Sequence, residues 1–424
     1  MKSNSITVYE HQRIYVGKTY NGQVFKQRHL DALLKLNEYH DWKYFQPIAK
    51  GIQFNQYVGI IQINGLSIEI HPKADKNDAN SKWQRVLLNM LKACGKLNPE
   101  SAGAANVKRS NLNLLEIYFE HFLSEVQSLQ RKGFIKQYGK ETKNTKALKG
   151  KLEFAGHLQK NIVHKERFYT THQVYDTDHI LHQVLYKALE IVTQFSRGTW
   201  LLDTCKRIAL NFPEVSKQQI TTQQLNSIKL HRKSKDYENA LKLARLIILN
   251  YSPDISGGKE KMLSLLFDMN VLWEEYVLRK LKEATRNNKE IEVIGQDSRL
   301  FWGNNYLKPD IVLRKGGKTY IIDTKWKTPS NNKASVEDLR QMYTYCRFWD
   351  AEKALLLYPG NDKEKHVEFE PFKTDDFSIY MEPYLVKLNH ECKMGFVSVL
   401  NNEGGLSESL GSEVLQLLDT ENLV

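Results

Sequence analysis

The sequence predicts a multidomain α/β protein with a β-rich N-terminal part, a helical middle and a C-terminal mixed sheet flanked by helices. Three observations predict it. At 424 residues with 41% hydrophobic content, the chain has room for two or three domains with real cores. Stretches of period-two patterning gather near the N-terminus, and helical spacing dominates after them. The last third then runs helix, three or four strands, helix, strand, which is the order of a mixed sheet layered with helices.

Within residues 1–165, "ITVYE" and "RIYVG" read as short strands. "QYVGIIQINGLSIEIHPK" is two apolar runs joined by Asn64-Gly65, a type I′ hairpin signal. An apolar helix is expected at about 82–94, then a polar linker, then a second helix ending at Gly133. From Arg131 to Arg167 eleven Lys/Arg face three acids, with Phe134, Tyr138, Phe154 and Phe168 interleaved. Such a segment suits a phosphate backbone and unstacked bases, with Lys136, Lys140, Lys143, Lys146 and Lys149 as the candidate contacts. An ordinary solvated basic surface has the same composition.

Helical patterns fill Asp178 to about Glu283, and the last, "MLSLLFDMNVLWEEYVLRKLKEA", reads as one long helix with a single apolar stripe. Glu274 borders that stripe. An acid there is either a solvated helix residue or a group reaching a metal on the neighbouring sheet.

The stretch "YLKPDIVLRKGGKTYIIDTKWK" carries the chemistry. Gly316-Gly317 between two β-rich runs signals a hairpin, since glycine accepts the positive φ of a tight turn. With those two residues as the loop, Lys315 pairs with Lys318, Arg314 with Thr319, and so outward until Asp310 faces Asp323. Alternation puts Asp323 and Lys325 on one face. Opposed residues have Cβ atoms about 4.5–5.5 Å apart, so two carboxylates there repel unless a divalent cation joins them. Mg²⁺ favours carboxylate oxygens and keeps several waters, and Lys325 stands beside any such water. Further on, Gln341 and Tyr345 share a helix face, either as ordinary packing or as support for this site.

A net charge of +12 favours a polyanionic partner. Four scattered cysteines give neither a disulfide framework nor a zinc site. With no apolar signal core at the start and no 18-residue apolar run, a cytoplasmic setting and no membrane association are expected. Gly17-Lys18-Thr19 and Gly317-Lys318-Thr319 have Gln12 and Val312 where a P-loop needs its first glycine. An NTP-driven motor must then come from another polypeptide.

The order of acid-bearing helix, Pro309-Asp310, and Asp323-Thr324-Lys325 resembles the PD-(D/E)XK nuclease superfamily, and Gln341-x-x-x-Tyr345 is similar to the helix motif of its RecB-like branch. "LLFDMNVLWEEYV", "YLKPDIVL" and "IIDTKWK", with "VGIIQINGLSIEIHPK", "LQRKGFIKQYGKET", "LKGKLEF" and "VYDTDHILHQVLYKAL", resemble the McrC family of modified-cytosine-dependent McrBC restriction systems over about residues 55–360. The resemblance implies a Mg²⁺-dependent endonuclease subunit: Asp310, Asp323 and the Thr324 carbonyl as metal ligands, Lys325 orienting water, Glu274 as a direct or outer ligand, Gln341 and Tyr345 as support. It also implies double-stranded DNA with modified cytosine as substrate and a GTP-hydrolysing AAA+ McrB-type ring as partner, GTP being bound by that ring. The implied domains are a motor-docking part at 1–165 with the basic segment 131–167, a helical region plus endonuclease at 166–400 with its core at about 260–360, and an acidic tail at 401–424. Alternatives are a non-catalytic DNA-binding adaptor of the motor and a RecB-like exonuclease working with a helicase.

Overall fold

A computed structural model describes residues 5–63, 66–72, 80–96, 114–252, 262–327, 329, 333–360, 368–372, 390–401 and 405–418. The chain forms two compact units, one of residues 1–61, 65–98 and 266–424, the other of 62–64 and 99–265. Among the described residues no helix is long and apolar enough to cross a membrane.

The first unit is discontinuous in sequence. In its N-terminal part, Ser5–Tyr9 runs parallel to Leu66–His71, which neighbours Tyr57–Ile63. The Asn64-Gly65 turn expected between the last two lies outside the described residues. Arg13–Tyr15, Gly51–Phe54 and Phe45–Ile48 make a small antiparallel sheet beside the Gln27–Tyr39 helix. The Asn80–Ala93 helix follows, close to its expected span.

The C-terminal part is a six-stranded mixed sheet in the order Ile291–Gly295, Ile311–Lys315, Lys318–Thr324, Lys353–Pro359, Glu391–Val397, Glu370–Pro371. The middle pairs, Lys318–Thr324 with Lys353–Pro359 and the latter with Glu391–Val397, are parallel, and the others are antiparallel. The Val336–Trp349 helix covers one face through Met342, Tyr345, Cys346 and Trp349, packed on Val312, Ile321, Leu356 and Tyr358. The Met269–Ala284 helix packs against Ile291–Gly295 and Lys318–Thr324.

The two sequence-distant parts of this unit meet through specific contacts. Arg279 donates to the Ala93 carbonyl at 2.8 Å, Lys96 pairs with Glu275 at 2.9 Å, and the buried Trp326 indole donates to Glu10 at 2.7 Å. These contacts join the two parts into one compact unit that leaves out residues 99–265.

Two expectations change. The stretch 262–284 is not one helix: Met262–Asp268 is a strand, and the helix starts at Met269 with the Asp268 carboxylate capping Asn270 N–H at 2.9 Å. Leu263 and Leu266 continue the apolar spacing of the helix that follows, and a short apolar stretch does not by itself separate strand from helix. Nor is 401–424 simply an acidic tail, because Leu410–Leu417 is a helix that buries Leu410, Val414 and Leu415 against the Met269–Ala284 helix and the Glu391–Val397 strand. Asp419 and Glu421 lie outside the described residues.

In the second unit the helices Leu114–Lys132, Ile180–Phe195, Leu201–Leu210 and Glu238–Leu249 pack on one another. A long antiparallel ribbon, Gln137–Thr145 with Phe168–Asp176, carries Lys151–Leu152 and the short Phe154–Asn161 helix.

Candidate active site

The glycine hairpin adopts the expected register. Gly316 and Gly317 have φ of 55° and 80°, and the ladder runs Lys315↔Lys318, Arg314↔Thr319, Leu313↔Tyr320, Val312↔Ile321, Ile311↔Ile322. Asp310 is the next residue outward on its strand and Asp323 the next on the other, so both carboxylates come to the same end of the sheet. There the ladder to the parallel neighbour closes, with Lys325 N–H donating to the Leu357 carbonyl at 2.8 Å.

Each side chain is held by named partners. Thr324 donates twice to Asp310 Oδ2, through its N–H at 2.7 Å and its hydroxyl at 2.9 Å. Asp323 is only 2% exposed, and Lys325 Nζ stands 2.7 Å from its Oδ2. This ammonium compensates the buried carboxylate directly. Lys325 Nζ also donates to Gln341 Oε1 at 3.0 Å. Gln341 Nε2 in turn donates to the Tyr345 hydroxyl at 2.8 Å, and Tyr345 donates to the Lys308 carbonyl at 3.1 Å. Gln341 and Tyr345 thus form a relay from Lys325 to the residue two before Asp310.

Electrostatics follow from burial. Burial, opposed by the Thr324 hydrogen bonds, raises Asp310 above the usual carboxylate range, and burial with the neighbouring Asp310 charge raises Asp323. Desolvation alone lowers an ammonium, yet the Asp323 carboxylate carries Lys325 above its ordinary value. Burial, then the Asp310 charge, pushes Glu274 from 4.5 up to about 7, although Gln296 donates to its Oε1 at 2.6 Å. Glu274 is therefore electrostatically part of this cluster. Among the described residues, however, no three His, Cys, Asp or Glu side chains are grouped closely enough to hold one metal ion.

Sequence reasoning missed Asp338. Its carboxylate takes Lys327 at 2.6 Å and stands 3.6 Å from Lys325, while its N–H is capped by Ser335 at 3.1 Å. The signal was present as Ser335-x-x-Asp338 opening a helix, one turn before Gln341. Also unforeseen is Trp326, which packs against Trp273 with ring centroids 5.6 Å apart while its indole donates to Glu10.

The five lysines are all exposed, but they do not share a face: alternation along Gln137–Thr145 sends Lys140 and Lys143 to opposite sides, and Lys143 pairs with Glu141 at 2.6 Å. Of the interleaved aromatics, Tyr138 and Phe154 are exposed, whereas Phe134 packs on Phe212 and Phe168 stacks on His157.

Residues 52–359 match a family model described as McrBC 5-methylcytosine restriction system component, a span of well over half the chain. The chain belongs to the McrBC family. A curated relative of this McrBC-family chain, the Type IV methyl-directed restriction enzyme EcoKMcrBC of Escherichia coli K12, is 21% identical over 60% of this chain and 81% of its own length. Among solved structures, a refined half-complex from a tetradecameric assembly of Thermococcus gammatolerans McrB AAA+ hexamers with bound McrC aligns over 99% of this chain and 100% of the matched chain, with a TM-score of 0.68 at 18% identity. The cryo-EM structure of the Thermococcus gammatolerans McrBC complex aligns over 66% and 88%, with a TM-score of 0.49 at 21% identity. The McrBC-family chain is thus a restriction-system component with a mixed α/β fold.

Proposed function

We propose that this chain is the McrC-type, Mg²⁺-dependent endonuclease subunit of a modified-cytosine-dependent restriction system, with its nuclease core of the PD-(D/E)XK kind. The observation that carries the reading is the hairpin end, where Asp310, Asp323 and Lys325 converge at one end of the paired strands. The residues fit a hard divalent cation through the chemistry of their donors: two carboxylates brought to one end of paired strands, with oxygen ligands of the kind Mg²⁺ favours. Asp310 and Asp323 would hold the ion, the Thr324 carbonyl would complete the protein's share, and Glu274 would act from outside that set. When bound, the ion supplies Lewis-acid activation of water and of the scissile phosphate.

The chain's own groups do the rest. Thr324 fixes the Asp310 carboxylate through two donors, so that its orientation is set before any ligand arrives. Lys325, aimed by Gln341 and Tyr345, orients the attacking water and stabilises negative charge growing on the phosphate oxygens. Asp338 and Asp323 balance that ammonium from two sides.

The second unit supports recruitment by a GTP-hydrolysing AAA+ ring of the McrB type. Beyond the ribbon, Leu148, Phe154, Leu158, Ile162 and Val163 are each at least 60% exposed. Apolar side chains of this number in the open mark a protein contact more readily than a solvated surface. We place motor docking within 1–165 on that ground, with Lys136, Lys140, Lys143, Lys146 and Lys149 contributing phosphate contacts from both sides of the ribbon.

The deciding experiment is cleavage of a cytosine-methylated plasmid by the purified chain with Mg²⁺, with and without its GTPase partner and GTP, alongside Asp323→Ala and a chelator control. Cutting that needs the partner, GTP, Mg²⁺ and Asp323 together is the expected result. A wild type that stimulates the partner's GTPase yet never cuts with any divalent cation would make the chain an adaptor.

A further inference from the structure

Immediately before the catalytic hairpin stands a second, smaller one, Arg299–Trp302 paired with Asn305–Leu307 and turned at Gly303, whose φ is +54°. Its root is fixed. Arg299 donates to the Phe348 carbonyl and lies 4.9 Å over the Trp349 ring, Phe301 meets Phe348 at 5.4 Å, and Leu307 packs on the core beneath. Its outer part is apolar and in solvent. Leu300 and Tyr306 oppose each other across the strands at 58% and 63% exposure, and Trp302 beside the turn is 74% exposed. Large aromatic side chains left open on a rigidly anchored tip mark an interaction surface.

The structure assigns an occupant through continuity with the neighbouring site. From Leu307 the chain passes through exposed Lys308 and buried Pro309 into Asp310, and the Lys308 carbonyl is pinned by the Tyr345 hydroxyl that also orients Gln341. A nucleic acid engaged at Asp310 and Asp323 that follows the Leu307–Asp310 link comes to this hairpin. A strand rises about 3.3 Å per residue, so three residues reach roughly 10 Å, and successive nucleotides lie about 3.4 Å apart. The tip thus spans about three base steps from its root. We infer that Trp302 and Tyr306 form a stacking wedge against DNA bases flanking the scissile phosphate, with Arg299 and Lys308 supplying positive charge at its base. Aromatic side chains stack bases without regard to sequence and open base steps when inserted between them. This rests on the nuclease reading of the Asp310–Asp323 site, and the wedge would hold DNA in register for cutting without reading its sequence.

The test uses the full chain with its GTPase partner. Duplex DNA carrying a fluorescein label is titrated in chelator, so that binding is read without cutting, and cleavage is then measured with Mg²⁺. The variants are Trp302→Ala with Tyr306→Ala, and Trp302→Phe with Tyr306→Phe. The alanine pair is expected to weaken duplex binding about tenfold, in line with base–aromatic stacking energies, and to raise the DNA concentration for half-maximal cleavage equally. The phenylalanine pair should restore both, and GTPase stimulation should be unchanged in either. Alanine variants that bind and cut like wild type overturn the wedge. So does a loss accompanied in sedimentation by dissociation of a dimer, which assigns the face to a second copy of this chain. If the wild type never cuts but the alanine pair still loses DNA, the wedge stands and the catalytic reading fails.

Discussion

Thr324 gives Asp310 two hydrogen bonds to the same carboxylate oxygen, one from its backbone at 2.7 Å and one from its hydroxyl at 2.9 Å. The residue between Asp323 and Lys325 is therefore an organiser of the opposite strand. Hydrogen bonds to charged groups contribute about 1.5–3 kcal/mol each. Thr324→Val, which keeps the backbone donor alone, should lower cleavage by about ten- to a hundredfold and shift its Mg²⁺ dependence to higher concentration, while Thr324→Ser stays near wild type. Equal cleavage by the valine and serine variants across a Mg²⁺ titration would show that the hydroxyl is idle.

The relay Lys325–Gln341–Tyr345–Lys308 predicts a graded series. Lys325→Met should abolish cutting. Gln341→Ala should cost more than Tyr345→Phe, because Gln341 touches the ammonium directly and Tyr345 acts through it. A neutral hydrogen bond contributes about 1 kcal/mol, so Tyr345→Phe should slow single-turnover cleavage about fivefold. A Tyr345→Phe loss larger than that of Gln341→Ala would refute the order of the relay.

Glu274 makes a pH prediction whose sign is the reverse of the usual carboxylate case. The folded state holds its proton up to about 7, against an ordinary 4.5, so between those values the folded chain binds more protons than the unfolded one. The stability contributed by Glu274 is then greatest below pH 4.5 and declines as pH rises through 7. In metal-free buffer, the melting temperature of Glu274→Gln relative to wild type should rise over that window. A constant difference between the two across the window would show that Glu274 titrates normally.

Gly411 predicts a role for the last helix. A Cβ there would run into the Lys280 carbonyl oxygen of the Met269–Ala284 helix, a backbone atom that cannot step aside. Gly411→Ala should therefore lower stability by about 1–3 kcal/mol, the usual cost of overpacking. Unchanged thermal unfolding would mean that this helix pair loosens freely.

The site was more legible than the fold around it. Two glycines between alternating strands fix a register without any long-range knowledge, so the apposition of Asp310 and Asp323 could be read directly. The same alternation placed Lys325 beside Asp323. The Thr324–Asp310 bonds and the Asp338 carboxylate were not legible, because a polar residue at a strand end or in a helix's first turn looks the same whether it faces water or a partner. The strand at 262–268 was absorbed into a helix because Leu263 and Leu266 continue the apolar spacing of the helix that follows. The partition into units escaped because it depends on contacts such as Glu10 with Trp326, which leave no local pattern.

The discontinuity of the first unit has a consequence for biosynthesis. Its early strands and the sheet bearing Asp310 and Asp323 are separated in the chain by the whole of 99–265. A ribosome makes the early strands first, the intervening unit next and the carboxylate-bearing hairpin only afterwards. Domains generally fold as units during synthesis, so the intervening unit can mature while its host still waits for half its core. The unit of 99–265 can thereby be complete before the hairpin that carries Asp310 and Asp323 has been made.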